Sequence, residues 1–434
     1  ESMNNKKESC NPKPLNRLIA ALVLGGVSLA AGAQEVTPTD ENEVLFEQGM
    51  EALEDDRVQS AMRAFQSILS QQPGLHRARL ELALAYYKAL QYEEARRHAQ
   101  QVLDDPQTPP EVRVTVLAFL AQVDRDQQAF LVKHTFKPSI GLGLMYDSNV
   151  NVGPGTDIVE EIPGATLSAS SLERSDNAVV LTAGLSHRYQ PGRTFVFGER
   201  TAGFLWQTQA NLYHRAYNDE DDFDLTVLTA STGPAWVVLR HWRANLALTV
   251  DRIWLGNEEL AWFASLNPAV TWQFDNGELT WDATLTDRRY DDSADSGREG
   301  TYRATGLSLG RYFLQRKVAA QVGARLLDFN ADADRYGHDG FELLAGVIVK
   351  AWPGGTVFAR ANHRDVQYDG NEAVGVARDE RERRLSAGFQ HDFRAGYLDK
   401  WTFGGGIQYT ENDSNISYFN YDRRQVMLNL GRTF

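Results

Sequence analysis

The sequence predicts an α + β membrane protein: a small helical repeat domain followed by a fourteen-stranded antiparallel transmembrane β-barrel. Three observations lead there. The tail from Asp422 to Phe434 alternates, with Val426, Leu428, Leu430 and Phe434 on one side and Gln425, Met427, Asn429, Gly431 and Thr433 on the other. A strand with one apolar and one small or polar face suits a wall between lipid and water. Helical periodicity fills residues 42–125 and then stops, and all nine tryptophans fall between Trp206 and Trp401. Trp has an apolar body and a polar tip, so it collects at bilayer interfaces.

The N-terminus reads as a secretory signal. Lys6, Lys7, Lys13 and Arg17 precede an apolar stretch, Leu18 to Ala30, and Ala31-Gly32-Ala33 follows. A basic region, a short apolar core and an A-x-A site place cleavage between Ala33 and Gln34. The apolar stretch is too short to span comfortably. The single cysteine, Cys10, leaves with that segment, so the mature chain has no thiol, disulfide or cysteine-bound metal. No later run reaches the length of a membrane helix, so a span must be made of strands. A formal charge of −14 excludes a nucleic-acid binder with a general basic surface. Hydrophobic content of 42% does not separate a soluble protein from a barrel whose strands are half wet.

The domains expected are a signal peptide at 1–33, a periplasmic helical domain at 34–130 and a barrel at 131–434. In the helical domain a helix-pair pattern repeats at a spacing of about 34 residues. Gly49, Ala61, Phe65 and Pro73 mark the first copy, and Ala83, Tyr86 and Ala95 the second, followed by Ala99 and Val102. Small residues are needed where paired helices cross closely, and an aromatic fills the gap between pairs. These positions resemble the tetratricopeptide repeat, although Ala99 stands where an aromatic belongs and Pro106 comes one residue early. A helix from Pro110 to Val123 caps the stack. The resemblance implies a concave groove for an extended or partly folded polypeptide.

Period-two segments place strands near 138–147, 178–189, 194–210, 222–237, 244–255, 260–274, 278–290, 300–314, 318–329, 340–350, 356–367, 382–393, 400–410 and 422–434. Short turns at 191–192, 275–277, 315–317 and 353–355 alternate with longer polar connections at 148–177, 291–299, 331–339, 369–380 and 411–421. Short turns face the periplasm in such barrels, and the helical domain joins that side. Phe434 closes the apolar face of the last strand as a barrel-assembly signal, and Arg432 departs from the usual apolar residue there. Asp251, Asp282, Arg288, Arg325 and Arg384 share the polar parity of their strands, and ion pairing within a barrel suffices to account for them.

The histidines form no nucleophile–base–orienter constellation, and neither GxSxG nor HExxH occurs. The reading is of a non-enzyme without cofactor or metal. The string Leu144-Met145-Tyr146-Asp147-Ser148-Asn149-Val150-Asn151, with Tyr421-Asp422-Arg423-Arg424 leading into the last strand, resembles the surface lipoprotein assembly modifier family. For Asp147, Ser148 and Asn149 a polar turn is the favoured local reading. The resemblance implies a Gram-negative outer-membrane protein that moves lipoproteins to the cell surface, or secretes soluble haem- and metal-acquisition proteins, by a type XI route. A client protein and outer-membrane lipid are then the expected partners, with a periplasmic chaperone and the barrel-insertion machinery as further ones. Exopolysaccharide export and a nutrient porin are the competing readings.

Overall fold

The computed structural model describes residues 40–434; the expected signal segment, with Ala33, Gln34 and Cys10, lies outside them. Five helices come first: α1 (Asp40–Glu54), α2 (Val58–Gln71), α3 (His76–Lys88), α4 (Tyr92–Asp104) and α5 (Pro110–Leu131). None is long and apolar enough to cross a membrane. One core joins α1, α2 and α3 through Phe46, Ala61, Phe65 and Leu82. A second joins α3, α4 and α5 through Ala83, Ala95, Ala99, Val102 and Phe119.

The repeat positions have physical roles. A Cβ on Gly49 would lie 2.7 Å from the ring of Phe65, so the crossing of α1 and α2 needs glycine there. Phe65 is fully buried and meets Phe46 edge to face at 5.6 Å. Tyr86 packs against both cores, stacks on His98 and accepts a hydrogen bond from Gln66. Pro73 sits in the turn between α2 and α3. The capping helix runs eight residues past the expected Val123, to Leu131, because Phe119, Leu120, Val123 and Gln127 remain buried.

The chain forms two compact units, the helices with residues Val196–Thr201 and the remainder from Val132. Within the first, Glu199 supplies what α2 lacks. The N-cap residue of α2, Arg57, makes no side-chain cap. The Glu199 carboxylate accepts from the Ser60 amide at 2.7 Å and from Arg63 at 3.1 Å, and its carbonyl accepts from the Gln59 amide. A carboxylate there satisfies orphan amides and faces the positive end of the helix dipole. The bond from Ser60 leads the causes that hold the Glu199 carboxyl below its usual range. Its contribution is therefore present above the unfolded-state carboxylate range and is lost as pH falls through the lowered folded value. Glu199→Ala should cost about 1 kcal/mol of helix stability. Protection of the Ser60 amide from hydrogen exchange, taken relative to the intrinsic rate at each pH, should then fall at neutral pH, and acid should lower it further by less than in the unsubstituted chain.

The strands are β1 (His134–Asp147), β2 (Asp176–Tyr189), β3 (Thr194–Phe197), β4 (Arg200–Tyr217), β5 (Leu225–Val238), β6 (Trp242–Leu255), β7 (Glu258–Phe274), β8 (Gly277–Tyr290), β9 (Gly300–Phe313), β10 (Val318–Ala331), β11 (His338–Trp352), β12 (Gly355–Asn371), β13 (Ala377–Asp392), β14 (Trp401–Ser414) and β15 (Tyr421–Thr433). Fourteen of them close an antiparallel ring, in which β2 pairs β4 directly and β1 pairs β15; β3 is a short addition at the edge of β4.

Several boundaries differ from the sequence reading. The strand expected at 194–210 is broken at Gly198, whose φ of +59° suits a residue without Cβ, and its second part runs on to Tyr217. The strand expected from 222 starts at Leu225, after a short 3-10 turn at Asp221–Phe223. The one expected to reach 314 stops at Phe313, because Leu314, Gln315 and Arg316 all take positive φ. Gly256-Asn257 forms a two-residue turn with both φ positive, as a type I′ hairpin requires. Connections expected at 369–380 and 411–421 shrink to 372–376 and 415–420. Charged residues expected outside a strand, Arg378 to Arg381, alternate inside β13, with Arg378 and Arg381 in ion pairs.

Register assigns the two faces. Ile140, Leu142, Leu144 and Tyr146 point outward and stay between 45% and 64% exposed. Their partners, Val426, Leu428 and Leu430 on β15 and Val179 and Leu181 on β2, share that face. Trp206, Trp236, Trp242, Trp272 and Trp401 are outward too and gather toward the short turns. Such a band suits lipid. Arg432 also lies outward, with its guanidinium 4.8 Å from the Phe434 ring and 5.8 Å from that of Trp401, which lets the charge snorkel at the rim.

Candidate functional site

The chemistry of the barrel is concentrated on its inner wall at the long-loop end. At the junction of the first and last strands, Asp147 ends β1 with no exposed surface. It accepts from Arg423 Nε at 2.9 and 3.1 Å and from Arg423 Nη2 at 2.5 Å. Tyr217 Oη and Gln425 Nε2 each donate to it at 2.8 Å, and the Asn149 amide at 3.1 Å. Next to it Ser148 and Arg424 exchange two hydrogen bonds, and Asn149 Nδ2 donates to the carbonyls of Asp422 and Gly153. The local polar turn expected at Asp147–Asn149 is therefore only part of its role: the same residues clasp the two ends of the barrel together. A local window could not show this, because the partners are 276 positions apart.

The connection at 148–175 turns into the mouth. Val150 and Val159 are buried, and Val152 lines a cavity of about 230 Å³ with inward-facing residues including Arg364, Glu380, Glu382, Asn412 and Tyr421. Glu161 pins the loop by accepting from the amide and hydroxyl of Ser417. Burial works to raise its carboxyl, yet those bonds outweigh it and hold the group below its usual range.

The inner-wall carboxylates near the cavity have partners. Glu382 accepts from Tyr421 and Arg384, and Glu380 from Tyr368, with Arg378 at 3.5 Å. Arg378 lies 3.8 Å from the Tyr368 ring centre and 4.1 Å from that of Phe419. Arg288 is stacked 4.6 Å from the Tyr302 centre and 4.5 Å from that of Phe329, with Phe263 beyond. The result is a girdle of guanidinium and aromatic groups, each cation held over a ring face.

All five charges singled out from strand parity face inward, but they do not form one site. Arg325 reaches across β9 to Asp282, and Gly306, in register with both, leaves the path open. Asp251 accepts from Thr229, Arg384 belongs to the Glu382 group, and Arg288 to the aromatic girdle. The sequence reading missed Arg364, His338 and Tyr368; inward parity was the available signal for Arg364, whereas His338 and Tyr368 lie just outside the strands expected at 340–350 and 356–367. Among the described residues, no group of three or more His, Cys, Asp or Glu is placed to hold a metal ion.

A tetratricopeptide-repeat family model matches residues 52–122. No match was found among curated proteins. Among solved structures the chain is similar to the Pseudomonas aeruginosa outer membrane protein OpdK, with 11% identity and a TM-score of 0.35 over 69% of this chain and 98% of that one. It is also similar to OpdH of the same organism, with 12% identity and a TM-score of 0.32 over the same shares. Likeness at this level carries nothing about cargo. The chain is a tetratricopeptide-type helical stack followed by a closed fourteen-strand antiparallel barrel.

Proposed function

We propose that this protein is an outer-membrane translocon that exports or surface-displays specific client proteins, with its helical stack as the docking site for a client or its chaperone in the periplasm. The observation that carries the reading is the union in one chain of a tetratricopeptide stack, an architecture that holds polypeptide segments, with a closed barrel whose outward face is apolar. The Tyr146-Asp147-Ser148-Asn149-Val150-Asn151 and Tyr421-Asp422-Arg423-Arg424 strings add a resemblance to the surface lipoprotein assembly modifier family, and with it a type XI route. No catalysis or cofactor is needed, and client folding outside the cell supplies direction.

A test is co-expression with a candidate client encoded beside this gene, followed by protease shaving of intact cells and assay of the medium. Exposure only when this protein is present supports the reading, and shaving against medium separates anchored from secreted clients. Unchanged location for every neighbouring candidate rejects it. A solute channel is the second reading, favoured by the charged, aromatic-lined mouth; it calls for large steady conductance. Polysaccharide export fits less well, since the described residues hold two helix-pair repeats and a capping helix.

A further inference from the structure

We infer that the outer face of α5 docks an amphipathic helix of a partner protein, one with alanine or glycine at the centre of its apolar side. This rests on the docking role proposed above for the stack and gives that role a surface and a partner class. The 34-residue register of the repeats defines the face. Phe46, Gly49, Met50 and Leu53 on α1 hold the same repeat positions as Leu80, Ala83, Leu84 and Tyr87 on α3. On α5 those positions fall to Val114, Leu117, Ala118 and Ala121.

The first two sets are covered by the helix that comes next. Phe46 meets the Phe65 ring of α2, and Gly49 leaves room for that ring. Ala83 is fully buried in the second core with Ala95, Ala99 and Val102 of α4, and Leu80, Leu84 and Tyr87 pack against the same core. Among the described residues no α-helix follows α5, and the chain goes from Leu131 to β1 at His134. The third set is accordingly open: Val114 is 68% exposed, Leu117 52%, and Ala118 and Ala121 are exposed too. The opposite side of α5, with Val116, Phe119 and Val123, is spent on the stack. A helix that only capped the repeats would turn a polar side outward.

The stack's own interfaces say what fits. Phe65 and Ala99 hold matching places on α2 and α4, opposite Gly49 and Ala83. The pair is Gly against Phe in the first repeat and Ala against Ala in the second. With Leu117 on the α5 side, only a small residue on the incoming helix allows a close crossing. Past Ala121 the outer face becomes polar at Arg125 and Gln128, so the apolar part covers about three turns. That seats a helix the size of α4, which has 13 residues. An amphipathic helix laid on such a face is a recurring mode of polypeptide recognition.

The test uses a labelled, helix-stapled peptide of α4's sequence, Tyr92–Asp104, titrated by fluorescence anisotropy against the full chain in dodecyl maltoside. Saturable binding of one peptide per chain is expected. Leu117→Asp should weaken it about tenfold or more, the loss of one buried leucine side chain. Ala99→Phe in the peptide should weaken it similarly. Val44→Asp, at an apolar residue of α1 that is 54% exposed, should leave the affinity as it was. Far-ultraviolet circular dichroism checks the helices, and Val114→Lys replaces Leu117→Asp if that variant does not fold. A photoreactive residue at 117 in growing cells should then give adducts that map to an alanine- or glycine-centred helix of another protein. No peptide binding, binding indifferent to both Leu117→Asp and Val114→Lys, or adducts only to a second copy of this chain overturns the inference. Specific peptide binding by a chain that exports no client leaves the docking face standing and rejects the translocon reading alone.

Discussion

Asp147→Ala should destabilise the closed barrel by about 3–5 kcal/mol, the range for leaving one member of a buried ion pair uncompensated. The loss has several parts. Arg423 keeps its charge but loses a bidentate partner, and Tyr217 Oη, Gln425 Nε2 and the Asn149 amide lose their acceptor. All of this falls where β1 meets β15, so the damage is to closure rather than to one strand. Urea titration of the folded barrel, followed by heat-modifiable gel migration, reads it. Adding Arg423→Met should recover part of the loss, because removing both charges is cheaper than stranding one. If Asp147→Ala alone costs under about 1 kcal/mol, the clasp contributes no more than an exposed surface pair.

Glu81→Gln should stabilise the helical stack, and only at neutral and higher pH. Glu81 on α3 is 5% exposed. Burial lifts its carboxyl from 4.5 to about 7, against the opposing pull of Arg77 and Lys88. A carboxyl raised on folding costs nothing below its unfolded value. The penalty grows as pH rises through the interval up to the folded value and is complete above about 7. At pH near 8 the neutral amide should therefore gain up to roughly 3 kcal/mol, shrinking toward zero near pH 4. Thermal unfolding by far-ultraviolet circular dichroism, followed in the helical band across that range, checks it. A gain independent of pH would point to packing rather than to charge.

The parts of the fold that a short window of sequence decides were legible. Small residues at Gly49, Ala61, Ala83 and Ala95 announced helix crossings, and strict alternation in β1 and β15 announced two-faced strands. What escaped depends on distant partners. Gly198 ends β3, and Glu199 beside it is drawn onto the amides of Gln59 and Ser60. Strand ends beyond the apolar band carry Arg378 and Glu380, which read as loop until ladder pairing and their ion pair are seen. The site was legible only as parity. Inward-facing charges could be named from their strands, but Arg325 meets Asp282 across an intervening strand, and Arg423 meets Asp147 only because the ring closes. Arg364 and His338, on neighbouring strands, needed the register to bring them together.

The central claim, that a polypeptide passes through the barrel, is tested most directly by photocrosslinking during export. A photoreactive residue is placed at Gln321, which faces the lumen, or at Val322, its lipid-facing neighbour on β10 that is 55% exposed. Crosslinks to the client from position 321 and not from 322, lost when export is blocked, are the expected result. Export that proceeds with no crosslink from 321, or with equal crosslinks from both faces, contradicts passage through the lumen.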